Sequence, residues 1–247
     1  PGARTARRCS RGRGVIRTLH IGLPKTGTTA LQNALVSTLG RSYFGQGCAF
    51  YRPQKENLFN LRPLRVPDGV AVWSDEDLSL GAFYGYAGTI ELRDREAVLR
   101  HAFSSLMPQK ILITNRDAKA LKNSWLTYQV RRGRLDQRKI DLFLESSTWA
   151  SLEQRFDLAR LVGEVERLAQ GAEIEIVEQT DLYRAYAALC CDLDVTPVAA
   201  LPRLNENKDQ YFSADWLRFA LPVIGLRGFN ILSNRLSKPK KLPRNLL

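Results

Sequence analysis

The sequence predicts a three-layer α/β fold in which a central parallel sheet is flanked by helices. Two observations carry this expectation. Short apolar runs of strand composition alternate with longer stretches whose apolar residues recur at helical spacing. The polar residues best suited to chemistry follow directly after the strand-like runs, at the edge where such sheets bind ligands. With 247 residues, 44% of them hydrophobic and 9% aromatic, the chain can build one large domain around a sizeable core.

Residues 1–14 are rich in Arg and Gly and are expected to be a disordered basic segment. They contain no apolar stretch that would act as a secretory signal. Residues 15–21 form the first strand, and Gly22-Leu23-Pro24-Lys25-Thr26-Gly27-Thr28-Thr29 turns into a helix beginning near Thr28. Leu31, Leu35 and Leu39 make the buried stripe of that helix, and Gly40 stops it. Residues 70–73 are a short strand running into Ser74-Asp75-Glu76-Asp77. Residues 92–107 are helical, with Val98, Leu99, Ala102 and Leu106 on one face. Residues 110–114 form an apolar strand, followed by Asn115-Arg116-Asp117 and another helix. A single long amphipathic helix is expected over 152–170, a last strand over 173–177 and a helix over 182–193. Residues 211–247 read as a basic amphipathic extension. The apolar run 216–232 is too interrupted by Arg218, Pro222, Gly225, Arg227 and Gly228 to span a membrane.

The formal charge is +12, and it sits at the ends: no acid precedes Glu56 and none follows Asp215. Such ends serve either as solvated tails or as contacts to an anionic membrane surface or polymer. No nucleic-acid-binding motif accompanies them, so no nucleic-acid partner is expected. Cys9, Cys48, Cys190 and Cys191 show neither a disulfide framework nor metal-ligand spacing. They read as reduced thiols of a cytoplasmic protein, with no metal expected.

The loop from Gly22 to Thr29 joins a strand to a helix and suits an anionic group. Gly27 permits a tight turn, the helix start offers unsatisfied N–H donors, and Thr26, Thr28 and Thr29 add hydroxyls. It is P-loop-like, but the G-x-x-x-x-G-K-[ST] pattern would have Lys at position 28, where this chain has Thr28. The Lys falls earlier, at Lys25, which equips the loop poorly for a kinase or NTPase. The stretch His20-Ile21-Gly22-Leu23-Pro24-Lys25-Thr26-Gly27-Thr28-Thr29 resembles the 5'-phosphosulfate loop of PAPS-dependent sulfotransferases, in particular the bacterial and polysaccharide-type branch.

Further positions match that family. Arg116 follows a strand and Ser124 lies eight residues on, a spacing that in the family binds the 3'-phosphate of the donor. Leu204-Asn205-Glu206-Asn207 falls where relatives carry an Asn-containing loop near the nucleotide. Ser74-Asp75-Glu76-Asp77-Leu78-Ser79 resembles the Ser-x-Glu-x-Leu-Ser segment that carries the catalytic Glu in the bacterial branch. The resemblance implies a sulfotransferase domain over 15–210 that moves a sulfuryl group from PAPS to an acceptor hydroxyl and releases PAP. It implies donor contacts from Pro24, Lys25, Thr26, Gly27, Thr28, Thr29, Arg116, Ser124 and Asn205. Lys25 would stabilise the leaving group and Glu76 would act as general base, with Asp75 and Asp77 as rivals for that role. His20 and His101 read as structural. Segments 43–64 and 130–147 would line an acceptor cleft, and their aromatic and basic residues suit a carbohydrate or glycoconjugate. The competing readings are a P-loop kinase or NTPase and a basic membrane- or nucleic-acid-binding module.

Overall fold

Parallel strands joined by helical crossovers organise the chain. The computed structural model describes residues 15–84, 90–131, 135, 137–169, 171–201 and 217. The expected basic segment 1–14, Asn205 and all of 211–247 except Leu217 lie outside the described residues. Leu217 is buried in the main core.

In chain order the elements are β1 (Thr18–His20), α1 (Thr28–Leu39), β2 (Tyr43–Gly45), α2 (Tyr51–Phe59), β3 (Val72–Ser74), β4 (Ala82–Tyr84), β5 (Ile90–Leu92), α3 (Arg95–Leu106), β6 (Lys110–Asn115), α4 (Ala118–Arg131), α5 (Gln137–Leu144), α6 (Ser147–Arg155), α7 (Leu158–Leu168), β7 (Glu173–Glu178) and α8 (Leu182–Asp192). Five strands form one sheet in the order β2-β3-β1-β6-β7, every neighbouring pair parallel. The predicted α/β architecture is therefore the observed one. β4 and β5 form a separate antiparallel hairpin.

Strand alternation fills both faces of the sheet. Leu112 and Val72 face the cluster built with Leu31, Leu35 and Leu39 of α1 and with Leu182, Tyr186 and Leu189 of α8. Ile111, Ile113, Leu19 and Trp73 face the larger cluster on the other side. Gly40, in the left-handed half of backbone space, closes α1 by donating its N–H to the Val36 carbonyl.

One expected element is two. The helix read over 152–170 breaks between α6 and α7, because Asp157 caps α7 by accepting from the Arg160 N–H. Phe156, at the break, is buried among Trp125 and Trp149. β2, α2, the β4–β5 hairpin and α5 were not expected from the sequence. α2 holds Pro53 in its first turn, where a missing N–H costs no helical hydrogen bond.

Arg95 ties the segment after β3 to the helical layer. Its guanidinium forks onto Glu164 at 2.7 and 2.6 Å and also donates to the carbonyls of Ser79 and Arg155. With Arg95 only 4% exposed, removing it takes the two-pronged partner from Glu164, which keeps only Arg160 at 3.3 Å, and the donor from two carbonyls. Arg95→Met should cost about 3 kcal/mol in urea denaturation. A loss below about 1 kcal/mol would show the pair to be no more than a surface contact.

Candidate functional site

The carboxyl ends of all five parallel strands lie on one edge, so the residues following them converge there. The loop after β1 turns sharply. Ile21 and Leu23 extend the strand by donating to the Leu112 and Thr114 carbonyls. Lys25 (φ 68°) and Gly27 (φ 85°) then take left-handed conformations. For Lys25 this costs roughly 1 kcal/mol, and such strain persists only where surrounding contacts impose it. At Gly27 the left-handed backbone favours glycine, and a Cβ would also have to push aside the tip of the Leu182 side chain, 2.6 Å away. α1 starts at Gly27 without a capping side chain. Its first N–H donors and the positive end of its dipole are thus available to a ligand.

A buried hydrogen-bond chain holds the loop down. Thr26 Oγ1 donates to the Leu23 carbonyl at 2.6 Å and bonds Thr114 Oγ1 at 2.8 Å. Thr114 Oγ1 lies 3.2 Å from His20 Nε2, and His20 Nδ1 lies 2.7 Å from Ser74 Oγ. Gln32 Nε2 donates to the same Ser74 oxygen at 3.1 Å. Burial lowers the His20 pKa to about 4. His20 is therefore the core residue it was expected to be. His101, on α3, makes a hydrogen bond to the Arg62 carbonyl, far from this edge in sequence and contact.

The acidic segment after β3 meets the loop through one carboxylate. Thr28 Oγ1 donates to Glu76 Oε2. Desolvation raises the Glu76 pKa, opposed by the Thr28 hydrogen bond and the charges of Lys55 and Lys25, while Asp75 adds to the rise. Asp75 and Asp77 are engaged elsewhere. Lys55 Nζ reaches Asp75 Oδ1 at 3.0 Å and also bonds Asp77. Asp75 Oδ1 further accepts from the Asp77 N–H, which caps the single 3₁₀ turn Glu76–Leu78. Burial pushes Asp77 up to about 7 against the pull of Lys55.

On the other side of the loop, Arg116 donates to the Lys25 carbonyl at 3.4 Å. The Lys25 ammonium lies 4.2 Å from the centre of the Tyr128 ring. Ser124, one turn before Tyr128 on α4, is 1% exposed, and its Oγ has no hydrogen-bond partner among the described residues. An orphaned buried hydroxyl is costly, and a ligand oxygen would relieve it. Pro24 and Thr28 are buried in the loop and Thr29 is half-buried on the first turn of α1. The edge thus brings Lys25, Thr28, Glu76 and Arg116 into contact or near contact, while Ser124 lies one turn from Tyr128 on α4. Lys55, Tyr128 and Thr114 join them without having been singled out in the sequence. Thr114, a polar residue closing an apolar strand, carried a readable signal; Lys55 sits on a helix that periodicity did not reveal.

Among the described residues no group of three or more His, Cys, Asp or Glu is placed to hold a metal ion. Nor is any helix among them long and apolar enough to cross a membrane.

No protein-family model matches the sequence, and no curated protein matches it. Among solved structures, the chain is similar to the crystal structure of a sulfotransferase from Alicyclobacillus acidocaldarius. The TM-score is 0.51 at 12% identity, over 90% of this chain and 94% of that one. Likeness at that identity establishes a shared fold.

The state of His20 gives a pH dependence. Its folded pKa lies below the unfolded value of 6.5. Between about 6.5 and 4 the unfolded chain therefore binds a proton that the folded chain does not, and stability falls as pH drops. The full contribution is on the order of 3 kcal/mol. Chemical denaturation of wild type and His20→Gln at several pH values should show a shallower slope in the variant over this window. Equal slopes would mean that His20 is protonated in the folded protein.

Proposed function

We propose that the protein is a sulfotransferase that moves a sulfuryl group from PAPS to a hydroxyl of a carbohydrate or glycoconjugate and releases PAP. The observation that carries this proposal is the hydrogen bond from Thr28, on the anion-binding loop, to Glu76. It joins a cradle suited to an anionic donor directly to a carboxylate able to accept a proton.

The chain's own groups fit such a donor. The uncapped start of α1, the hydroxyls of Thr26, Thr28 and Thr29 and the cation of Lys25 match the 5' side. Arg116 and the orphaned Ser124 hydroxyl match a 3'-phosphate. Bound PAPS supplies the sulfuryl group. Glu76 takes the proton of the acceptor hydroxyl as its oxygen bonds to sulfur, and the electron pair of the broken S–O bond stays with the phosphate of PAP. Lys25 stabilises that charge. A raised proton affinity suits Glu76 to this task. Phe50, 79% exposed at the start of α2, supports a sugar acceptor, whose apolar ring face packs on aromatic side chains. Thr28 in place of the nucleotide-binding Lys argues against a kinase or NTPase.

In a thermal-shift assay, PAP at a hundredfold excess over its Kd should raise Tm by roughly 5 °C or more. The absence of any shift would refute the donor site. Arg116→Ala should weaken the shift. With labelled PAPS and a panel of oligosaccharides, Lys25→Ala should lose about 100-fold in turnover. Glu76→Gln should lose a similar factor or more while still binding PAP. Unchanged turnover in Glu76→Gln would assign the base elsewhere.

A further inference from the structure

Asp75, Glu76 and Asp77 put three carboxylates in a row at the end of β3, in largely buried surroundings. Three adjacent negative charges repel one another, and burial strengthens the repulsion. One cation from a different element meets two of them. Lys55 of α2 is 15% exposed in its side chain, and its ammonium bonds Asp75 and Asp77, the two acids flanking Glu76. The ammonium also lies 5.7 Å from the ring centres of both Tyr51 and Phe59, one helical turn before and after it on α2. Its position is thus set from both sides along the helix.

We propose that Lys55 is a positioning residue of this site: by clamping Asp75 and Asp77 it neutralises the flanking charge and leaves the Glu76 carboxylate turned to Thr28 and the loop. This rests on Glu76 being the base. The remaining groups acting on Glu76 are the Thr28 hydroxyl on α1, the Lys25 ammonium on the loop, Asp75 and Asp77 on its own turn and the Tyr43 hydroxyl on β2; Tyr51 on α2 acts on the flanking acids. Only Lys55 and Lys25 among these are cations. Lys25 faces the leaving group in the proposed reaction, so Lys55 is the cation left to keep Glu76 ionised until it takes the acceptor proton. A compact ammonium with three rotatable donors suits two single contacts to separate carboxylates.

The titration of Glu76, followed by carboxyl 13C resonances in the full chain and assigned with Glu76→Gln, tests this without any acceptor. Lys55→Met should raise the Glu76 midpoint by about one pH unit or more, and Lys55→Arg should restore most of it. Asp77→Asn removes a like charge and should lower the midpoint, which keeps the test open if Lys55→Met does not fold. PAP-induced thermal shifts should persist in the folded variants. Unchanged Glu76 midpoints in Lys55→Met, or in Asp77→Asn, would overturn the proposal. A shifted midpoint alongside full turnover by Glu76→Gln would overturn the reading of Glu76 as base, and with it the positioning role.

Discussion

Three strands of the sheet are joined at their carboxyl ends by side chains as well as by backbone, and the loop depends on that join. Because Thr26 donates to the Leu23 carbonyl, the hydrogen between Thr26 and Thr114 must come from Thr114. Thr114 then accepts from His20 Nε2, which leaves His20 Nδ1 to accept from Ser74, and Ser74 to accept from Gln32. The chain puts a proton on His20 Nε2, and burial, which lowers the pKa to about 4, keeps Nδ1 free to accept. Protonation at Nδ1 would turn the Ser74 hydrogen away from His20 and place a charge in a fully buried site. There is no spare room either: a Cβ at Gly22 would lie 1.7 Å from Thr114 Oγ1. Neutral His20 therefore couples β1, β3 and β6 to the fold of the loop at Thr26.

That rigidity is what allows the strained backbone at Lys25. A left-handed Lys is tolerated because Thr26, next in the chain, is buried and bonded twice, and because Arg116 holds the Lys25 carbonyl. The charges then sort by position. Lys25 and Arg116 stand on the loop side, the three acids stand at the end of β3, and Lys55 supports the acids from behind. Thr28 connects the two halves through Glu76.

Much of this was legible in the sequence because it rests on local signals. The Leu31, Leu35 and Leu39 stripe, the Gly40 stop and the apolar run of β6 each follow from spacing alone, and all lie where periodicity places them. The loop was legible because Gly27 suits a left-handed turn and the Thr residues beside it supply hydroxyls at a helix start. What stayed hidden depends on contacts distant in the chain. Lys55 meets Asp75 and Asp77 across twenty residues and more. α2 has a weak apolar pattern and an internal Pro, and β2 is three residues long. The break between α6 and α7 leaves no mark in the apolar spacing, which continues through it, while the cap at Asp157 decides the outcome.

In the proposed donor site, one edge of the sheet holds a nucleotide by both of its phosphate positions. Calorimetric titration of PAP against adenosine 5'-monophosphate measures this directly, since the two differ only in the 3'-phosphate. The arrangement of Arg116 and the orphaned Ser124 hydroxyl predicts at least about tenfold tighter binding of PAP, reduced in Ser124→Ala. Equal affinities for the two nucleotides would mean that Arg116 and Ser124 hold no 3'-phosphate.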